Sequence, residues 1–500
     1  MAVQSTAPVR RKGLDALRSG LAGELITPEH REYETARRVW NGMIDKRPAA
    51  IARCSGAADV AETIRFATAY DLPLAVRGGG HNVAGTAMID DGLVIDLSAM
   101  RGVRIDPSGR TVHVQGGATW ADVDRVTAPL GLATPGGVVS ETGVAGLALS
   151  GGVSHQRRRD GMTIDNLVSA EVVLANGRRV RASADEHPDL YWALRGGGGN
   201  FGLVTSFELR LHELGPELFA LNVAYPLEDA ARVLAGWRDT VADAPDELST
   251  AGFVWSLPVD DALPTELHGL PHVGVIGLWA GDPDEGERAT RGLRELATPL
   301  LDMSARVDYL DLQRSLDPYF PAGQRRYWKA LYLDGFSDPA IDITIDRSER
   351  RPSNDTLVII RHCGGAISRV GAEETAFGDR SSEWMLSIDS SWTNPADDEI
   401  NVAYTREFYD ASLPYSDGKT YFNFPGLLEE GDAAVRASYG SNHERLARIK
   451  AAYDPENVFR LNQNIRPAAT NLARLPAGSV EGHLRPVHVE PGNDRHRGVL

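Results

Sequence analysis

Arg77-Gly78-Gly79-Gly80-His81-Asn82 sets one imidazole at the end of a triple-glycine turn. Glycines let a backbone come very close to a bulky ligand, with amide N–H groups free to face a pyrophosphate. The run fits either a ligand loop that ends in a functional histidine or a glycine-rich turn with a structural one.

Two more glycine clusters follow. The first joins Thr134-Pro135-Gly136-Gly137, Thr142-Gly143-Val144-Ala145-Gly146 and Ser150-Gly151-Gly152. The second, Gly196-Gly197-Gly198-Gly199-Asn200-Phe201-Gly202, contains a formal G-x-G-x-x-G. A dinucleotide fingerprint needs a strand before it and a helix after it. Here His187–Arg195 reads as a helix and Leu203–Leu211 as an alternating strand, so the order is reversed and a nicotinamide site is rejected. A large planar cofactor threaded between loops accounts for all three clusters. FAD fits, since it needs backbone donors for its pyrophosphate and close packing on its ring.

Other elements must position these loops. Leu72–Val76 reads as a buried strand leading into the first loop. Ala57–Tyr70 carries apolar residues at helical spacing, with Ser55 as a possible cap. Leu93–Leu97 is another apolar run. Val103–Asp106 with Thr111–Gln115, and Ser169–Ala175 with Arg179–Ala182, are hairpin signals. Residues 131–210 read as strand-rich. From about residue 215 the texture changes to strands (Phe219–Tyr225, Val273–Trp279, Leu357–Arg361, Trp384–Ser391) grouped with helices (Leu227–Asp239, Pro283–Ala297), which predicts an antiparallel sheet with helical cover. Ala433–Tyr453 reads as one amphipathic helix. The first 30 residues and the tail from Ala468 lack apolar periodicity, so the former are expected to wrap loosely and the latter to be mobile.

Composition narrows the function. Five hundred residues exceed one small core, so at least two domains are expected. The formal charge is −17, from 52 basic and 69 acidic residues, which repels nucleic acid. No apolar run reaches the ~18 residues of a membrane span, and no secretory h-region follows the basic N-terminus. Two cysteines, Cys54 and Cys363, make neither a disulfide framework nor a cysteine zinc site, and no metal is expected. A cytoplasmic protein acting on a small molecule, as a monomer or homodimer, is the expectation.

Taken together, the motifs resemble the FAD-linked oxidases of the berberine bridge enzyme-like family. Arg77–Asn82 matches the flavin-attachment loop. Gly143–Leu167, ending in Gly161-Met162-Thr163-Ile164-Asp165-Asn166-Leu167, resembles the second FAD-binding segment, and Leu190–Gly202 the third. Tyr421-Phe422-Asn423-Phe424, Tyr453–Phe459 and Asn462-Gln463-Asn464-Ile465 resemble the family's C-terminal module. The resemblance spans about residues 30–467. It implies an α+β fold: a two-part FAD-binding domain of the p-cresol methylhydroxylase type and an α+β substrate domain on an antiparallel sheet. The expected boundaries are 1–30 extension, 31–212 FAD-binding domain, 213–415 substrate domain, 416–467 C-terminal module and 468–500 tail.

It also implies FAD, bonded covalently to His81. Around it the resemblance places Arg77, Gly78, Gly79, Gly80 and Asn82, then Gly137, Val139, Thr142, Gly143, Gly146 and Gly151. Asp165 and Asn166 follow, then Gly198, Gly199, Asn200, Phe201, Gly202 and Val204, and finally Tyr421, Asn423, Asn462 and Asn464. Some relatives add a cysteinyl link. Its position falls near Val139, so a single link is expected. A gate position maps to Thr142, small enough to admit oxygen. Val153 and Phe424 stand where many relatives use tyrosines, and the candidates for the catalytic base are Asp389, His155 and Tyr421. Residues 385, 387 and 389 share one strand face, which in the family looks onto the flavin. Tyr327-Trp328-Lys329 is a further substrate-side candidate. The implied reaction is oxidation of a CH–OH group of a sugar or secondary metabolite, with oxygen as acceptor and hydrogen peroxide released. The alternatives are a dehydrogenase, a cyclising oxidase of secondary metabolism, and a catalytically silent flavin-binding protein.

Overall fold

Three larger sheets and a two-stranded one organise the chain in the computed structural model, which describes residues 7–469 except 262, 429 and 430, with the side chains of 7–12 also left aside. The first has four strands in the order Glu24–Ile26, Ala50–Arg53, Leu93–Asp96, Leu74–Arg77; the last three run parallel. Ala57–Ala69 covers it, burying Val60, Ile64 and Ala67 at the predicted helical spacing. The cap expected at Ser55 is not made. Gly56 is the N-cap, and the Ser55 hydroxyl donates to Asp59 at 2.9 Å.

The second sheet has five antiparallel strands: Val103–Asp106, Thr111–Gln115, Leu203–Arg210, Leu167–Val173 and Arg179–Ser183. Both predicted hairpins lie within it. Its core gathers Trp120, Phe201, Phe207 and Leu446. Pro188–Leu194 is a helix that precedes the four-glycine loop, and Leu203–Arg210 follows it, the reverse of a dinucleotide fold.

The third sheet has nine strands. Along its main path lie Leu301–Asp302, Glu217–Pro226, Pro271–Trp279, Leu248–Ser256, Leu357–His362, Trp384–Trp392, Arg325–Leu333 and Ser416–Pro425, all antiparallel, with Ala305–Asp308 beside Glu217–Pro226. Three helices, Ala230–Val241, Asp338–Glu349 and Asp398–Ser412, bury Trp237, Ile341 and Phe408 against one face. The other face is free to line a site.

Several expectations are corrected. The first 30 residues do not all wrap loosely: Ala7–Gly20 is helical and Glu24–Ile26 joins the first sheet, while Asp59 accepts from the amides of Ala22 and Gly23. Residues 131–210, read as strand-rich, also contain short helices, Val144–Leu149 and Arg157–Asp160. The single helix over 433–453 is two, Gly431–Tyr439 and Asn442–Tyr453, parted at Gly440 with φ +51°. Pro283–Ala297 likewise divides into Pro283–Ala289 and Arg291–Arg294. Beyond Ala469 the tail lies outside the described residues.

Candidate active site

Between the glycine loops and the bare face of the nine-stranded sheet lies a cavity of about 720 Å³. Its two walls differ in kind. The loop wall offers backbone, and the sheet wall offers side chains.

Gly78–Asn82 leave the end of the strand Leu74–Arg77 and enter the loop wall, joined by Gly137, Val139, Thr142, Gly143, Gly146, Gly199, Gly202, Val204 and Asn462. Two of these glycines show different needs. A Cβ on Gly79 would stand 2.5 Å from the Gly143 Cα and N, so that pair is glycine because two backbones cross. Gly146 sits inside the helix Val144–Leu149, and a Cβ there would meet nothing within 4 Å. A helix interior ordinarily gains about 1 kcal/mol from alanine over glycine. Nothing in the protein itself calls for glycine at 146. The open space over it is a cradle that a Cβ would intrude upon, and a flat ring system fits it.

His81 is half-buried, its ring stacked on the indole of Trp40 with centroids 3.8 Å apart and planes at 19°. Arg326 lies 3.6 Å from the Trp40 ring. Burial, then the charge of Arg326, hold the His81 imidazole down at about 3, so it is neutral in the physiological range. Its Nε2 has no hydrogen-bond partner. A neutral imidazole keeps a lone pair, which a nucleophile needs.

Several residues expected at the cofactor brace the loops around the cavity. Arg77 donates to the Ala36 carbonyl at 2.6 Å. Asp165 accepts a two-pronged pair from Arg380 at 2.7 and 2.9 Å. Asn166 donates to the carbonyls of Asp160 and Met162. Gly151 lies against Met162 and Tyr421, and the Gly198 amide donates to the Leu149 carbonyl. Asn200 donates to the Gly197 and Gln463 carbonyls and accepts from the Ile465 amide, while Phe201 is wholly in the core. Asn464 has a buried amide oxygen with no partner. Asn462 donates to the Gly199 carbonyl at 3.0 Å, so the C-terminal stretch ties down the third glycine loop.

On the sheet wall, strand alternation delivers Met385 and Asp389 to the cavity while Leu386 and Ile388 pack under the helices. Asp389 is 2% exposed. It accepts from the Ser387 hydroxyl, and its Oδ2 lies 3.9 Å from Arg361. Burial outweighs both of these and raises its carboxyl to about 6. His155 lines the same cavity with its Nε2 unpartnered, and burial lowers it to about 4. The Tyr421 oxygen accepts from the Gly152 amide at 3.0 Å and from Asn423 Nδ2 at 2.9 Å. Its own proton is left to donate, and burial raises its pKa, so at neutral pH it serves as a donor. Of Tyr327-Trp328-Lys329, only Trp328 lines the cavity; Lys329 points the other way, over the Tyr409 ring at 4.2 Å.

Trp40, Arg326 and Arg361 went unread in the sequence. Trp40 and Arg326 meet only because residues 40–42 pair with 323–326, through Gly323 N to Trp40 O at 2.8 Å and Arg326 N to Asn41 Oδ1 at 3.0 Å. Arg361 carried a signal: it shares a face with Leu357 and Ile359 on a strand that was predicted.

Residues 48–183 match the family described as FAD binding domain, and residues 420–466 the one described as berberine and berberine like. The (R)-6-hydroxynicotine oxidase of Paenarthrobacter nicotinovorans is 30% identical over 472 residues, 89% of this chain and 97% of its own. Among solved structures, 6-hydroxy-D-nicotine oxidase from Arthrobacter nicotinovorans superposes with a TM-score of 0.79 at 29% identity, over 89% of this chain and 98% of that one. Glucooligosaccharide oxidase from Acremonium strictum, which carries a 6-S-cysteinyl, 8α-N1-histidyl FAD, shares the fold with a TM-score of 0.79 at 22% identity, over 91% of this chain and 99% of its own.

Proposed function

We propose that this chain, which belongs to the berberine bridge enzyme-like FAD-linked oxidoreductases, oxidises a CH–OH group of a small molecule to the carbonyl. When bound, FAD supplies a two-electron acceptor for the hydride and hands the electrons to dioxygen, giving hydrogen peroxide. The loop wall would hold it: Gly78–Gly80 and Gly146 by close backbone approach, and His81 through a single covalent bond. Val139 stands at the expected cysteinyl position, so no second link forms.

The observation that carries the reading is Asp389. Removing hydride from a CH–OH carbon requires that the hydroxyl proton leave at the same time. Asp389 faces the cavity, buried and raised to about 6, so it is ionised at neutral pH yet basic enough to take that proton. Arg361 steadies the carboxylate, and Ser387 orients it. Tyr421, two strands away on the same sheet, offers a further hydrogen bond to the site. His155, neutral and unpartnered, is the alternative acceptor.

The test is anaerobic mixing with a panel of alcohols while the flavin absorbance is followed, then peroxide assay in air. Asp389→Asn should slow reduction by about 10²–10⁴-fold. Reduction of the variant within threefold of wild type, with His155→Gln slowed instead, would transfer the base to His155. Reduced flavin that forms no peroxide in air would point to a dehydrogenase.

A further inference from the structure

The sheet wall narrows the ligand, given the oxidoreductase reading above. Phe253, Trp255, Ile276, Leu357 and Ile359 form an apolar cluster on the cavity side of the sheet. The nearest hydroxyls already accept one bond each, Thr250 from the Trp237 indole at 3.0 Å and Ser249 from the Arg158 amide at 3.2 Å. A polyol seated against this cluster would bury hydroxyls on carbon without partners, which is costly. An apolar ring system loses nothing on that wall and gains from its removal from water.

Arg361 pairs with Asp389 on this wall. Arg361 also lies 5.5 Å from the Phe424 ring. Its Nη1 is buried with no hydrogen-bond partner, and so are the indole nitrogens of Trp255 and Trp328. All of these unmet groups are donors. Buried donors left unmet are costly, and an acceptor oxygen on a ligand would satisfy them.

We infer that the substrate is an apolar, aromatic or polycyclic molecule that carries, beside its oxidisable hydroxyl, an acceptor oxygen held by Arg361, and is not a sugar.

The test uses holoenzyme under anaerobic conditions, with the flavin absorbance perturbed by titrated probes. Deoxybenzoin has two aromatic rings and a carbonyl but no hydroxyl. Bibenzyl lacks the carbonyl, and cellobiose is the polyol. Deoxybenzoin should bind at least about tenfold tighter than cellobiose. Arg361→Met should weaken deoxybenzoin by about tenfold or more, and bibenzyl by less than about twofold. Arg361→Lys, which keeps the charge, replaces it if the first variant lacks flavin. Cellobiose binding as tightly as deoxybenzoin overturns the inference, as does equal weakening of both aromatic probes. Failure of the oxidase reading is distinguishable. Deoxybenzoin bound through Arg361, in an enzyme whose flavin no alcohol reduces (benzoin included), overturns that reading and supports the ligand class. Flavin reduced by cellobiose and not by benzoin does the reverse.

Discussion

Trp40 lies flat on His81, so the residue proposed to carry the flavin is clamped by an aromatic ring from a segment that itself pairs with the substrate sheet. Attachment at His81, as proposed, would therefore depend on contacts far from the glycine loop. Wild-type protein should keep its yellow colour in the acid-precipitated pellet, and His81→Ala should release all flavin to the supernatant. Trp40→Leu keeps an apolar body but loses the flat stack. The covalent fraction in freshly purified protein should fall by about half or more, a loss of order 1 kcal/mol in orientation of the ring. Full retention in Trp40→Leu would show that the stack does not orient His81.

Four imidazoles set wholly or partly inside the fold give it a pH signature. His81 and His362 are held down at about 3, and His155 and His272 at about 4, each chiefly by burial. A histidine lowered in the folded state stays neutral while its unfolded counterpart takes a proton below about 6.5. The unfolded state then binds more protons, so stability is full above that value and declines as pH falls toward 4. Melting temperature should drop steadily over that window. His362→Gln removes one proton uptake and should flatten the decline; an unchanged slope would remove His362 from the account.

The sequence was most legible where local pattern and local burial agree. Helix Ala57–Ala69 and the hairpins near 103–115 and 167–183 follow from spacing and turn residues alone. The two-part FAD-binding fold followed from motif order, and the antiparallel substrate sheet from apolar strand runs grouped with helices. Strand Arg325–Leu333 was missed because both of its faces are buried, one over the cavity and one under helices, which erases the polar alternation. Leu248–Ser256 is hidden the same way, with small residues diluting its apolar run. The helix at 433–453 was read as one because Gly440 interrupts the apolar period without a proline to mark it. Asp389 was legible from strand alternation, whereas the stack of Trp40 on His81 depends on pairing between segments some 280 residues apart, a distance no local pattern reports.

The glycine loops separate into two kinds, and substitution should tell them apart. Gly79→Val drives a side chain into the Gly143 backbone, which is fixed by its own strand bridge to Thr119. That variant should be insoluble or lose several kcal/mol, since overpacking against backbone costs about 1–3 kcal/mol or more. Gly146→Leu meets no protein atom near its Cβ and sits in a helix that favours it. It should fold, with a melting temperature near that of flavin-free wild type, and emerge colourless. A yellow Gly146→Leu with normal flavin content would mean that the cradle over this helix is not where the ring lies.

The rate of flavin reduction should depend on pH through Asp389. Its carboxyl must be ionised to accept a proton, and burial raises it to about 6. Reduction at saturating substrate should therefore rise as pH increases through about 6 and level off above 7. Arg361 opposes the rise in pKa by favouring the carboxylate, so Arg361→Met should shift the midpoint upward. Asp389→Asn should abolish the inflection and leave a slow, flat profile. His155, at about 4, would instead place the inflection near 4. A midpoint near 4 that survives in Asp389→Asn and disappears in His155→Gln would assign proton removal to the imidazole.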